Sequence, residues 1–64
     1  MNFLERLKEE KEELDYRIDK LLSFKETEDF NSIPEQQQNL LNIQSIVMAA
    51  YSEVLKIRLE QIEE

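Results

Sequence analysis

The absence of glycine constrains this chain most: none of its 64 residues is glycine and only one is proline. Glycine is the usual residue where tight turns and β-hairpins need a positive φ, so a hairpin-rich β fold is disfavoured. Leu, Glu, Lys and Gln dominate instead, and all four are strong helix formers. The sequence therefore predicts an all-α fold, and its length predicts a single domain over residues 1–64.

A first helix is predicted over about residues 3–25. Asn2 is a capping residue with Glu5 three positions later, which is close to a capping box. Apolar residues then recur at alternating spacings of three and four, which predicts one packed face. The seam contains one charged member, Lys11, among its apolar residues Leu4, Leu7, Leu14, Ile18 and Leu21.

A link and a second helix follow. The apolar spacing fails between Phe24 and Asn31, so we expect the chain to leave the helix there, with Phe24 and Phe30 packed on the core. Ser32-Ile33-Pro34-Glu35 has the features of a capping box with proline in the first turn, which predicts a second helix over about 33–62. The short link makes the two helices an antiparallel hairpin. A link centred near residue 29 would place Lys11 opposite Val47.

The second helix contains an uncharged stretch of 17 residues, from Gln36 to Ser52, in a chain of which 36% is charged. Its apolar residues cover more than half of the circumference, whereas a hairpin helix needs a stripe of little more than about 100°. We therefore expect a homo-oligomeric bundle, a dimer or higher, with this helix at its centre. The alternative is a monomer that a partner protein completes. The predicted oligomer interface comprises Leu40, Ile43, Val47, Ala50, Val54 and Ile57.

Polar residues interrupt the apolar faces at regular positions. Gln44, Tyr51 and Arg58 recur every seven residues and therefore lie along one line of the second helix. In one interpretation these residues and Lys11 fix the register of the bundle. In the other they bind a ligand between protomers: Lys11 and Arg58 donate to phosphate or carboxylate, Tyr51 stacks on a ring and Gln44 reads a polar edge.

Composition excludes several classes of function. The chain has no histidine and no cysteine, so the usual zinc ligands and nucleophile–base pairs are missing. We expect no enzyme activity, no metal and no cofactor. Fifteen acidic residues against eight basic ones give a net charge of −7, which argues against nucleic-acid binding. The sequence contains no apolar run of about 18 residues, so no membrane span is predicted. We expect a cytoplasmic protein.

The first helix carries an acidic run that has two interpretations. It is a solvated helix face, or it is a surface that docks on a host protein such as a nuclease or a defence effector. The residues concerned are Glu9, Glu10, Glu12, Glu13 and Asp15.

Two stretches of the sequence resemble a known family. One runs from Glu13 to Leu21 and is followed by Phe24. The other contains Leu40, Leu41, Gln44, Met48, Tyr51, Leu55, Arg58 and Leu59. Together they resemble a family of short phage helical-hairpin proteins first named from a crAss-like phage. The chain departs from the family pattern at Arg17, where the pattern has lysine, and at Tyr16 and Ala49-Ala50, which lie outside it.

The resemblance implies a phage origin, and hence the cytoplasm of an infected bacterium. The architecture is similar to that of phage nucleotide sponges, although the Met-Trp-Ala stretch of one sponge family is missing. This similarity to sponges implies an anti-defence protein that sequesters a cyclic nucleotide or ADP-ribose-type signal. An acidic module that inhibits a host protein, and a purely structural hairpin, are the alternatives.

Overall fold

The antiparallel hairpin is formed by two long helices joined by a short one. The computed structural model describes residues 2–63, which contain α1 (Phe3–Lys25), α2 (Glu28–Ser32) and α3 (Glu35–Glu63). α1 and α3 pack along a hairpin about 45 Å long. The all-α prediction and the first helix over about 3–25 are confirmed, and α3 begins two residues later than predicted.

The ends of α1 follow from local chemistry. The side chain of Asn2 accepts a hydrogen bond from the backbone N–H of Glu5 at 2.8 Å, which confirms the predicted cap. At the other end Lys25 lies in the last turn, where a positive charge is favourable at the negative end of the helix dipole. Its ammonium also reaches across to α3 and donates to Oγ of Ser45 at 3.3 Å.

The link contains a short helix, although the failure of the apolar spacing there predicts none. Thr27 caps α2 by accepting from the backbone N–H of Phe30, and acidic residues fill the first turn. Phe30 is buried and packs edge-on against Phe24, with ring centroids 5.9 Å apart. Phe30 is therefore buried as predicted, but neither ring belongs to the cluster of Leu7, Leu14 and Leu55, and the prediction of a non-helical link is wrong over residues 28–32.

The predicted role of Ser32 as the cap of the second helix is also wrong. Ser32 is the last residue of α2, and its hydroxyl donates back to the carbonyl of Glu28 at 3.1 Å. The carbonyl of Pro34 instead accepts the first hydrogen bonds of α3, from Gln37 and Gln38. Because Ser32 belongs to the extra helical turn of α2, it cannot cap α3, and α3 begins at Glu35.

The core lies along one seam between α1 and α3. Leu7, Leu14 and Leu55 are its buried apolar members, and Leu55 has no exposed surface. Ser45 is also buried in this seam. The predicted seam of α1 is confirmed, since its remaining members are half-buried. The inner seam of α3, which faces α1, has an unbroken spacing of three and four and comprises Gln38, Leu41, Ser45, Met48, Ser52, Leu55 and Leu59.

The predicted register between the two long helices is wrong by more than one turn. Lys11 lies opposite Ser52 and donates to its hydroxyl, whereas the sequence analysis placed it opposite Val47. The difference of five residues arises in the link, because α2 moves the reversal of the chain beyond residue 29. Over residues 2–63, no helix has an apolar stretch that could cross a membrane.

Candidate functional site

The surface of α3 that faces away from α1 is apolar and uncovered, and we call it the outer face. Its six residues are those predicted as an oligomer interface, and each is exposed in the hairpin. Val47, for example, retains 60% of its surface and Leu40 retains 56%. The outer face comprises Leu40, Ile43, Val47, Ala50, Val54 and Ile57.

The outer face is a second heptad seam on the same helix. Its residues alternate at spacings of three and four, as those of the inner seam do. At about 100° per residue the two seams lie roughly 150° apart around α3. One helix therefore has two nearly opposite heptad seams, and the hairpin covers one of them. Contiguous exposed apolar surfaces are typical of sites that bind proteins, membranes or ligands, which makes the outer face a candidate functional site.

Gln44, Tyr51 and Arg58 form a polar line along one border of the outer face, between it and α1. All three are exposed. The Tyr51 hydroxyl donates to the carboxylate of Glu10 on α1, and the Gln44 amide contacts the sulfur of Met48 at 3.8 Å. The predicted line of polar residues is present, but it lies beside the packed seam rather than within it.

A small cleft at the open end of the hairpin brings Arg58 together with residues of α1. Its guanidinium lies over the Phe3 ring, 5.7 Å from the centroid. Arg6 lines the same cleft, with Leu7 and Glu10, and the cleft has a volume of about 150 Å³. Two guanidinium groups beside an aromatic ring suit a ligand that combines a phosphate with a base.

Lys11 is held in a different place, inside the hairpin. Its ammonium donates to the Asp15 carboxylate at 2.7 Å and to Ser52 at 3.2 Å, and the Ser52 hydroxyl donates to Asp15 at 2.5 Å. The Lys11 ammonium and the Ser52 hydroxyl, both donating to it, hold the pKa of the Asp15 carboxyl below its ordinary value. This cluster satisfies the one charged position in the α1 seam.

The four predicted ligand residues are therefore not brought together in one hairpin. Tyr51 and Arg58 lie on the same side of the molecule and contact α1, and Gln44 continues their line. Lys11 instead has its two partners between the helices. Its predicted contact with a ligand stays a prediction.

Sequence reasoning missed four residues of these sites: Phe3, Arg6, Asp15 and Ser52. The unbroken spacing of the inner seam of α3 was a signal for Ser52. Nothing in the periodicity indicated Arg6, because its place beside Arg58 depends on the register of the hairpin. Among residues 2–63, no group of acidic side chains is arranged to hold a metal ion.

These features define a class of small helical-hairpin proteins in which the longer helix carries two heptad seams and the hairpin covers one. Comparison with family profiles identifies the family. The chain belongs to the Sequestin family, whose profile matches residues 1–61. This confirms the resemblance to a family of short helical proteins, and the family name hints at sequestration.

Neither curated proteins nor solved structures give a significant match to this chain.

Proposed function

We propose that this protein is a non-enzymatic phage protein that counteracts bacterial defence by sequestering a small nucleotide signal in pockets between protomers. The observation that carries the proposal is the place of Arg58. It lines a cleft with Arg6 and Phe3, and it also borders the uncovered outer face of α3. A ligand bound at Arg58 would therefore touch both the hairpin and whatever covers that face.

The size of the cleft supports a site that a second copy completes. Pockets for small molecules have volumes of about 300–1,000 Å³. The cleft beside Arg58 has about 150 Å³, which holds a phosphate group but not a whole nucleotide. A protomer packed on the outer face would add a wall next to Arg58 and Tyr51, and so deepen the cleft.

The charges near the cleft support an anionic ligand. The chain as a whole has a charge of −7, which repels a phosphate. Arg6 and Arg58 place two positive charges at the cleft against the single carboxylate of Glu10, which accepts from Tyr51. The two guanidinium groups can therefore bind a phosphate at the cleft, although the chain as a whole is acidic.

Calorimetry tests the proposal directly. The chain would be titrated with cyclic dinucleotides, cyclic trinucleotides and cyclised ADP-ribose products, and at least one is expected to bind below about 10 µM. Arg58→Met should weaken that ligand at least tenfold, because the phosphate loses its cation. Lys56→Met removes a neighbouring charge that does not line the cleft and is the matched control. Absence of binding by every compound would contradict the proposal.

A second candidate function is docking on a host protein through α1. It is favoured by the exposure of Glu9, Glu10, Glu12 and Glu13 on one helix. Reversing the charge of Glu9, Glu10 and Glu13 should release a partner captured by the wild-type chain from host lysate. If every captured protein stays bound to the triple variant, this candidate fails.

A further inference from the structure

We infer that the outer face of α3 binds a second copy of the same chain in the antiparallel orientation, with Val47 of each copy against Ala50 of the other. The inference rests on the proposed function only in requiring that the chain self-associates. It goes further by giving the orientation and register of the pair, and by assigning partner residues to the cleft at Arg58.

The spacing of the outer face makes it complementary to itself. Its residues are arranged symmetrically about a point between Met48 and Ala49. An antiparallel pair centred there would bring Leu40 of each copy to Ile57 of the other, and Ile43 to Val54. Every apolar side chain of the outer face then meets an apolar side chain of the partner. The small side chain of Ala50 beside the two-fold axis lets the two backbones approach closely.

The ends of the outer face match in the same way. Continuing its spacing in both directions leads to Gln36 at one end and Gln61 at the other. In the antiparallel register Gln36 of one copy lies opposite Gln61 of the other. Each end of the apolar seam is therefore flanked by a pair of polar, uncharged side chains. The seam between them has a length of about 25 Å on the helix axis.

The distribution of charge selects the antiparallel orientation over the parallel one. Residues 36–52 are uncharged, and the charges of α3 after its first turn all lie beyond them, from Glu53 onward. The antiparallel register places residues 53–61 of each copy beside residues 36–44 of the other, so charge meets an uncharged surface. A parallel pair would set each charged residue of this segment beside the same charge of the other copy, together with the negative ends of both helix dipoles.

The antiparallel pair also completes the cleft at Arg58. In this register Arg58 lies at the level of Asn39 of the other copy, next to the start of its α3. The amide side chains there, Gln36 and Gln37, would form the missing wall. A two-fold axis perpendicular to the helices keeps both polar lines on the same side of the pair. The two Arg58 residues then lie about 28 Å apart, measured along the helix axes. Each pair therefore has two separate clefts, one for each chain.

Cysteine crosslinking tests the orientation, because the chain has no cysteine of its own. Leu40→Cys and Ile57→Cys would be prepared as two separate single variants and oxidised alone and as an equimolar mixture. The antiparallel register brings position 40 of one copy within disulfide distance of position 57 of the other. We therefore expect a crosslinked dimer from the mixture and none from either variant alone. Tyr16→Cys, exposed on α1, is the control that should not crosslink.

Each other outcome overturns the inference. A dimer from each variant alone would show a parallel pair. No crosslink in the mixture, with sedimentation velocity showing that the variants still associate, would show that another surface pairs the chains. If these substitutions themselves prevent association, Ile43→Cys with Val54→Cys repeats the test one turn closer to the axis, and a wild-type chain that sediments as a monomer contradicts the pairing. No ligand is present, so failure here is separate from failure of nucleotide binding.

Discussion

The ammonium of Lys11 donates to the hydroxyl of Ser52, which lies 41 residues further along the chain, at 3.2 Å. Asp15 accepts from both groups and closes a polar cluster between α1 and α3. This contact shows which residues of the two helices face each other. In the same register Arg58 lies beside Phe3 and Arg6, and the outer face points away from the hairpin.

The polar cluster predicts a pH dependence of stability. The pKa of Asp15 is lowered in the folded state, so its contribution to the free energy of unfolding is present above the unfolded value of about 3.9. It is lost as the pH falls through the folded pKa. Asp15→Asn should have a lower urea midpoint than wild type at pH 7, and the difference should shrink as the pH falls below the unfolded pKa of about 3.9.

The effect of Asp15 should be small, because its side chain keeps 44% of its surface and solvent screens the pair. Asp19→Asn makes the same charge change at an exposed position of α1 and is the control. An equal loss of stability in both variants at pH 7 would show that net charge, not the cluster, is responsible.

Replacing Lys11 separates its two predicted roles. Lys11→Met removes the cation that Asp15 accepts from, so a modest loss of stability is expected, as for a partly exposed ion pair. Nucleotide affinity should change by less than about threefold, since the ammonium has partners inside the hairpin. Calorimetry on the folded variant measures this. A loss as large as that of Arg58→Met would instead show that Lys11 contacts the ligand.

The core predicts which leucine matters most for folding. Leu55 has no exposed surface and packs with Leu7 and Leu14, so Leu55→Ala should lower the free energy of unfolding by about 2–5 kcal/mol. Leu22→Ala removes the same atoms from a side chain that is 46% exposed, and its cost should be well below that. Urea unfolding at one fixed protein concentration compares the two. Equal losses would contradict the burial of Leu55 between the two helices.

The outer face predicts a second kind of effect, on association rather than on folding. Leu40→Glu places a charge in the outer face and should leave a helical monomer, because burying an unpaired carboxylate between protomers is costly. Leu22→Glu is the matched control, since Leu22 is similarly exposed but lies on α1. Sedimentation velocity reports the masses and circular dichroism the helix content. Loss of association in both variants, or in neither, would contradict the assignment.

Much of the fold could be predicted from the sequence because helix signals are local. The Asn2 cap, the apolar spacing of α1 and the uncharged run of α3 each depend on residues within a few turns. The capped turn at Thr27 was missed, although threonine followed by two acidic residues is a helix start. That one omission moved the register, and with it the expected partner of Lys11.

The site was harder to predict than the helices. Gln44, Tyr51 and Arg58 could be found as a line from their spacing alone, and the outer face from the width of the apolar arc. Whether that line lies within the packed seam or beside it depends on rotation about α3, which a broad apolar arc does not determine. Arg6 could not be found, because its proximity to Arg58 is a consequence of register.

Native mass spectrometry, with and without a mixture of bacterial cyclic nucleotides and cyclised ADP-ribose products, tests the central claim most directly. One spectrum reports the number of chains and the mass they have bound. We predict an oligomer with an even number of chains that gains one nucleotide mass per chain. An oligomer that gains no mass from any compound would contradict sequestration, and a monomer at every concentration would contradict the site between protomers.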